Sequence, residues 1–237
     1  TLLVLVGFGA IAAAVSVGSV TRPEGDGGGG PFGGTDPVST VLMGANFAVL
    51  LMGILGALAG AREYGSRMIA ATVAAVPRLW QVVVAKAAVF GVLALVVSVV
   101  GVLVAFTAGM SVLAGGDGAT LALTDDGVLR DVLGMAGYIT AVGLIGLGLG
   151  IVLRSVAGSI GAVVAVFMVL PPLAGALLPD SWDPVLQYLP SSAASAFTTV
   201  QAAGTEALDA GAGALVLLAW VVAALVAAAV SITRRDV

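Results

Sequence analysis

A chain of 237 residues that is 60% hydrophobic and 9% charged cannot dissolve as a globular domain, for which about 25% charge is ordinary. Its net charge is −4, and the nine Lys and Arg stand singly, which excludes a basic patch for nucleic acid. With no Cys and no His, it lacks disulfides, thiolate nucleophiles, imidazole bases and the usual zinc or haem ligands.

The length allows a single domain over 1–237, one helical bundle without a separate soluble catalytic domain. Thr1 to Val20 is the first apolar run. It has no basic residue ahead of it and exceeds the roughly 7–15 apolar residues of a secretory signal. The run is expected to be a first span that lacks its cytoplasmic start.

An external loop, 21–37, follows; it is glycine-rich and carries Glu24, Asp26 and Asp36. A second span is expected at about 38–60, a basic connector at 61–81 and a third span at 82–108. Loop 109–131 holds Asp117, Asp125 and Asp126. Spans 132–153 and 156–178 are joined by the tight turn Arg154-Ser155. The long connection 179–211 carries Asp180, Asp183, Glu206 and Asp209, and a last span at 212–232 leads to Arg234-Arg235. Runs of about 20 apolar residues are too long for strands and lack a barrel's alternation, so helices are the way to satisfy their backbone in lipid. The expected fold is all-α, with six transmembrane helices.

Six spans place the connections alternately on two sides. One side receives Arg62, Arg67, Arg78, Lys86, Arg154, Arg234 and Arg235; the other receives Arg22 and Arg130 with eleven of the thirteen acids. Basic loops stay in the cytoplasm, so both termini are expected there and the acidic loops outside. Gly56 and Gly60, like Gly146 and Gly150, stand four apart. That spacing suits close helix packing, and equally a mobile helix on a transport path. In the last connection Pro190-Ser191-Ser192 can open a short helix over Ala193 to Ala203, too short to span and therefore re-entrant or interfacial.

The residues count against several chemistries. No carboxylate lies near the middle of an expected span, and no His activates Ser98 or Ser159, whose hydroxyls suit bonds to the preceding helical turn. Proton-driven carriers commonly mark their path with ionisable groups at membrane depth, and none stands there. The lone lysine, Lys86, follows Val84-Ala85 rather than a P-loop glycine, so ATP hydrolysis would belong to another chain. No charged ring or filter motif marks a channel.

The informative stretch is Arg62-Glu63-Tyr64-Gly65-Ser66-Arg67-Met68-Ile69, which continues through Thr72, Val73 and Val76 to Pro77-Arg78 and Lys86. Gly65-Ser66 can open a helix that Pro77 closes, and Met68, Ile69, Thr72, Val73 and Val76 make one mostly apolar stripe. Such a helix can lie on lipid or dock into a groove on a soluble partner.

The pattern Arg-Glu-x-Gly-Ser after the second span, then a short helix, then Pro77-Arg78 and Lys86 entering the third, resembles the membrane subunits of type-2 ATP-binding-cassette exporters. Six spans, cytoplasmic termini and Leu189-Pro190 in a long outer connection extend the likeness to the whole chain. Ser66-Arg67-Met68 departs from that family's usual Thr-Leu, and the amphipathic helix it carries before its first span has no counterpart here.

The resemblance implies a coupling surface made of Arg62, Glu63, Tyr64, Gly65, Ser66, Arg67, Met68, Ile69, Pro77, Arg78 and Lys86. It implies two copies of a soluble ATPase that binds ATP and Mg, a second permease copy, and a multi-pass place in the plasma (inner) membrane of a prokaryote. No catalytic residue or cofactor is expected on this chain.

The polar and aromatic residues inside the spans, Asn46, Phe47, Phe106, Thr107, Tyr138, Thr140 and Phe167, are candidates to line a substrate path. The lack of mid-membrane charge points to an apolar or amphipathic cargo such as a drug, an antibiotic, a peptide or a lipid. The alternative is a non-transporting membrane scaffold whose 62–78 loop recruits a cytoplasmic protein.

Overall fold

The computed structural model describes residues 45–65, 79–115, 127–198 and 208–234. Among them all regular structure is helical: α1 (Ala45–Gly65), α2 (Leu79–Gly115), α3 (Val128–Leu153), α4 (Val156–Leu177), α5 (Pro190–Thr198) and α6 (Ala210–Arg234), with short helical turns at Asp180–Trp182 and Asp183–Leu186. Four of these, α2, α3, α4 and α6, are long and apolar enough to cross a membrane; α1 has a shorter apolar stretch, Phe47–Arg62. The expected first span, Thr1 to Val20, and the beginning of the second lie outside the described residues.

The helices overrun the apolar runs that announced them. α1 continues to Gly65, so Arg62 to Gly65 form its last turn rather than the start of a loop. α2 reaches Gly115, beyond the expected end at 108, and its 37 residues are about 56 Å long against about 30 Å of hydrocarbon. α3 begins at Val128, ahead of the expected start at 132, and takes in Arg130 and Asp131. The reason is common to all three: backbone hydrogen bonding continues where the hydrocarbon stops, until a residue ends it.

Those end signals are visible. Gly127 at φ 87° precedes α3, and Arg154 at φ 51° closes it with its N–H donating to Gly150 O. Ser155 then caps α4, its Oγ accepting from Gly158 N at 3.3 Å, so two residues reverse the chain. Ser159 Oγ donates back to Ser155 O at 2.5 Å, the local bond expected of that hydroxyl.

α3 is the centre of the bundle. Of its most apolar stretch 72% is buried, against 28% for α2, 22% for α6 and 11% for α4. Its most extensive partner is α1, and glycines explain why. A Cβ placed on Gly56 would strike Gly143 O, on Gly60 Leu147 O, on Gly146 Gly53 O and on Gly150 Ala57 O. The two backbones touch along about two turns, at a distance no larger residue permits, and apolar attraction is replaced by close van der Waals contact. Gly148 faces Ala224 of α6 in the same way, a Cβ there falling 2.8 Å from the Ala224 carbonyl oxygen. Here the glycine spacing read from the sequence serves packing.

α4 is built differently. A π-helical turn, Ala165–Val169, interrupts it, with Leu170 N–H donating five residues back to Ala165 O. Pro171 and Pro172 follow directly, and neither has an N–H to offer the preceding turn. Past this point, Leu170–Leu177 buries no residue.

The chain then turns back along the bundle. Trp220 Nε1 donates to Tyr188 O at 3.0 Å, about 15 Å along α6 from its start. α5 opens at Pro190, as the sequence indicates, and buries Ala193, Ala194, Ala196 and Phe197 against α3 and α6. Gly134 and Gly213 make room for it, since a Cβ on either would meet the backbone of Phe197 or Ala193.

Candidate functional site

At one end of the molecule Val83 and Ala87 of α2, Leu147 and Ile151 of α3, and Ala228 and Ile232 of α6 pack together, with Ala59 of α1 against them. Arg62, Arg154 and Arg234 stand just past this layer on their helices, and Lys86 lies within it, between Val83 and Ala87. Charges scattered over 173 positions of sequence thus share one end of the bundle. At the opposite end lie the starts of α3 and α6, with Asp131 and Asp209, and the connector that carries Asp180 and Asp183. Arg130 is the one described basic residue there.

Helix direction reinforces this division. α1, α3 and α6 all finish at the basic end, with Arg62 and Arg234 in their last turns and Arg154 as the cap of α3. Cations there meet the negative end of each helix dipole, an effect of about 0.3–1 kcal/mol per charge. Arg154 Nη2 reaches Ser231 O across to α6 at 3.5 Å, a long bond that still places its charge over the final carbonyls. At the other end Asp209 Oδ2 accepts from Gly211 N at 3.2 Å and caps α6.

Of the residues expected to form a coupling surface, Arg62, Glu63, Tyr64 and Gly65 stand in the last turn of α1, where Arg62 is exposed. Lys86 is half-buried, two turns into α2. Ser66, Arg67, Met68, Ile69, Pro77 and Arg78 lie outside the described residues, as does the short helix expected between them.

The expected path residues divide. Phe106, Tyr138 and Phe167 come together in one buried apolar cluster inside a single subunit. Thr140 is buried beside them, and its Oγ1 donates to Ala136 O at 2.9 Å. Thr107 is exposed, its hydroxyl shared between Leu103 O at 3.0 Å and Val104 O at 3.1 Å. Phe47 is 55% exposed on the outside of α1. Asn46 is the second residue of α1, and its side chain lies outside what the structure describes. Both threonines therefore satisfy their own helix, and the three buried aromatics fill a core.

The sequence reading passed over Asp131. Its side chain is fully buried at the start of α3, with Oδ1 3.2 Å from Arg130 Nε and no partner for Oδ2 among the described residues. An adjacent arginine and a neighbouring run of loop acids disguised it as one more solvated charge.

Comparison with protein-family models, curated proteins and solved structures gives no match.

Proposed function

We propose that this chain is the membrane subunit of an ATP-driven exporter of the type-2 ATP-binding-cassette kind, crossing the bilayer six times with both ends in the cytoplasm. The observation that carries the reading is the gathering of Arg62, Lys86, Arg154 and Arg234 at one end of the bundle, with Glu63 beside Arg62 on the last turn of α1. Basic residues are retained in the cytoplasm, so that end faces the compartment where an ATPase would work. Exposed Trp80 near one end, and Trp182 on the connector at the other, fit the two interfacial belts of such a protein. Connector 178–189 with α5 then makes a re-entrant hairpin on the outer side, held at depth by Trp220.

The exposed valines and leucines of α2, among them Val89, Val92, Val96 and Val100, would be costly in water and are neutral in lipid. In this reading two permease copies pair with two ATPase subunits that bind ATP and Mg. Closure of the ATPases moves the 62–78 loops and rocks the spans between inward-facing and outward-facing states. Phe106, Tyr138 and Phe167 support the fold of each subunit, and the cargo, apolar or amphipathic, passes where the subunits meet.

Purification of the tagged protein from its native membrane in mild detergent tests the proposal. A soluble P-loop ATPase should co-purify in near-equal amount, and Glu63→Ala should lower cargo-stimulated ATP hydrolysis by the reconstituted complex. If no ATPase is recovered even after crosslinking, the scaffold reading replaces the exporter.

A further inference from the structure

α1 and α2 are consecutive, yet each leans on α3 rather than on the other. α1 does so through its glycines, and α2 does so by setting the Phe90 ring 2.9 Å from where a Cβ on Gly143 would stand. Between them the described residues leave an apolar wedge of about 280 Å³. Met52, Leu55 and Ala59 form one wall, Phe90 and Leu93 the other, and Lys86 closes the basic end. Leu55, Ala59 and Arg62 follow i, i+4, i+7 spacing, so Arg62 continues the α1 wall to the same end as Lys86.

We infer that this wedge holds an anionic phospholipid of the leaflet on the basic side, with an acyl chain between α1 and α2 and its phosphate at Lys86 and Arg62. Charge selects this occupant. Seven of the eight lining residues are apolar, which suits a hydrocarbon chain, and the eighth is a cation. From Lys86 to Leu93 the wedge runs about 10 Å along α2, so the chain lies at hydrocarbon depth while the lysine stem reaches towards the headgroups. An ammonium carries three donors and a guanidinium five, so contacts within the chain leave others for phosphate oxygens. A zwitterionic lipid would fill the same wedge but bring no net charge to the two cations.

The test reconstitutes the full chain in phosphatidylcholine vesicles carrying a minor fraction of either phosphatidylglycerol or phosphatidylcholine with a photoreactive acyl chain. After irradiation and digestion, labelled peptides are quantified by mass spectrometry. Phosphatidylglycerol should label the 45–65 and 79–115 peptides about thirtyfold more than phosphatidylcholine, the effect of two basic residues near a headgroup at about 1 kcal/mol each. Lys86→Gln combined with Arg62→Gln should erase that preference while phosphatidylcholine labelling persists, which shows the wedge intact. Lys86→Arg should keep the preference.

Equal labelling by the two lipids would overturn the inference. So would a preference that survives the double substitution or is lost in Lys86→Arg. Absence of label from both helices would overturn it too, because a second copy or another part of the chain would then cover the wedge. None of these outcomes depends on an ATPase partner.

Discussion

α3 and α4 are neighbours in sequence, separated by a two-residue turn, and both are apolar enough to cross a membrane. One is the buried axis of the bundle, with 72% of its apolar stretch covered, while the other has 11%. Hydrophobicity does not separate them. Side-chain size does: α3 offers Gly143, Gly146, Gly148 and Gly150 to its partners, whereas the second half of α4 offers Leu170, Pro172, Leu173 and Leu177 to its surroundings. In water an apolar face is driven inward whatever its shape. In lipid, which is as apolar as leucine, inward position goes to the helix that others can approach most closely.

The largest effect that tests this contrast is expected at Gly56. Its added Cβ would sit on the Gly143 carbonyl, and a backbone atom cannot rotate aside as a side chain does. Gly56→Ala should therefore force α1 and α3 apart and destabilise the folded subunit by about 3 kcal/mol, the upper range for overpacking. The check is the thermal midpoint in detergent, followed by the loss of monodisperse protein on size exclusion. An unchanged midpoint would mean that α1 is not locked to α3 at all.

Much of this fold was legible in the sequence, and the boundaries of what was legible have physical causes. The apolar runs at 132–153, 156–178 and 212–232 foretold α3, α4 and α6 closely, because lipid demands long uninterrupted runs. Arg154-Ser155 announced its turn, and Pro190 its helix. The centrality of α3 was present in its glycine spacing but inseparable there from a mobile helix, since both need small residues. The full length of α2 escaped because helical hydrogen bonding carries no mark of the membrane surface. Asp131 was hidden because burial depends on α3 and its neighbours meeting, which a single run of sequence does not contain. For the candidate site, the gathering of Arg62, Lys86, Arg154 and Arg234 was legible from the alternation of the apolar runs, while Ser66 to Arg78 of the motif lie outside the described residues. The sequence did not reveal that Phe106, Tyr138 and Phe167 share one core, since aromatic residues at helical spacing look the same facing a core, lipid or cargo.

Two intermediate effects concern how α4, with so little burial, is held. At its start Ser155 supplies the cap, and Ser155→Ala should cost about 1 kcal/mol through the unsatisfied Gly158 N–H. Hydrogen exchange in the first turn of α4 should rise, with α3 unaffected; parallel loss in both would mean that the turn also positions α3. Beyond its far end, the connector is tied back by Trp220. Trp220→Phe keeps most of the ring and removes the N–H, so the bond to Tyr188 O is lost at about 1 kcal/mol. Limited proteolysis from the outer side should then cut within 178–189 faster. Unaltered cleavage would show that the packing of α5 alone holds the hairpin.

The smallest effect is the sharpest test, because its sign should be opposite to that at Gly56. Gly161 lies mid-way along the first part of α4, and a Cβ there meets nothing among the described residues within 4 Å. With no neighbour to displace, Gly161→Ala should act through the backbone alone. It removes the conformational freedom that glycine has in the unfolded chain and should stabilise the helix by about 0.5 kcal/mol. The same one-carbon addition would thus raise the thermal midpoint in α4 and lower it in α1. If Gly161→Ala instead destabilises, a second copy or a part of the chain outside the described residues packs there. Comparing the variant as a monomer and as a crosslinked dimer would then show whether a second copy uses the exposed face of α4, as a paired permease would require.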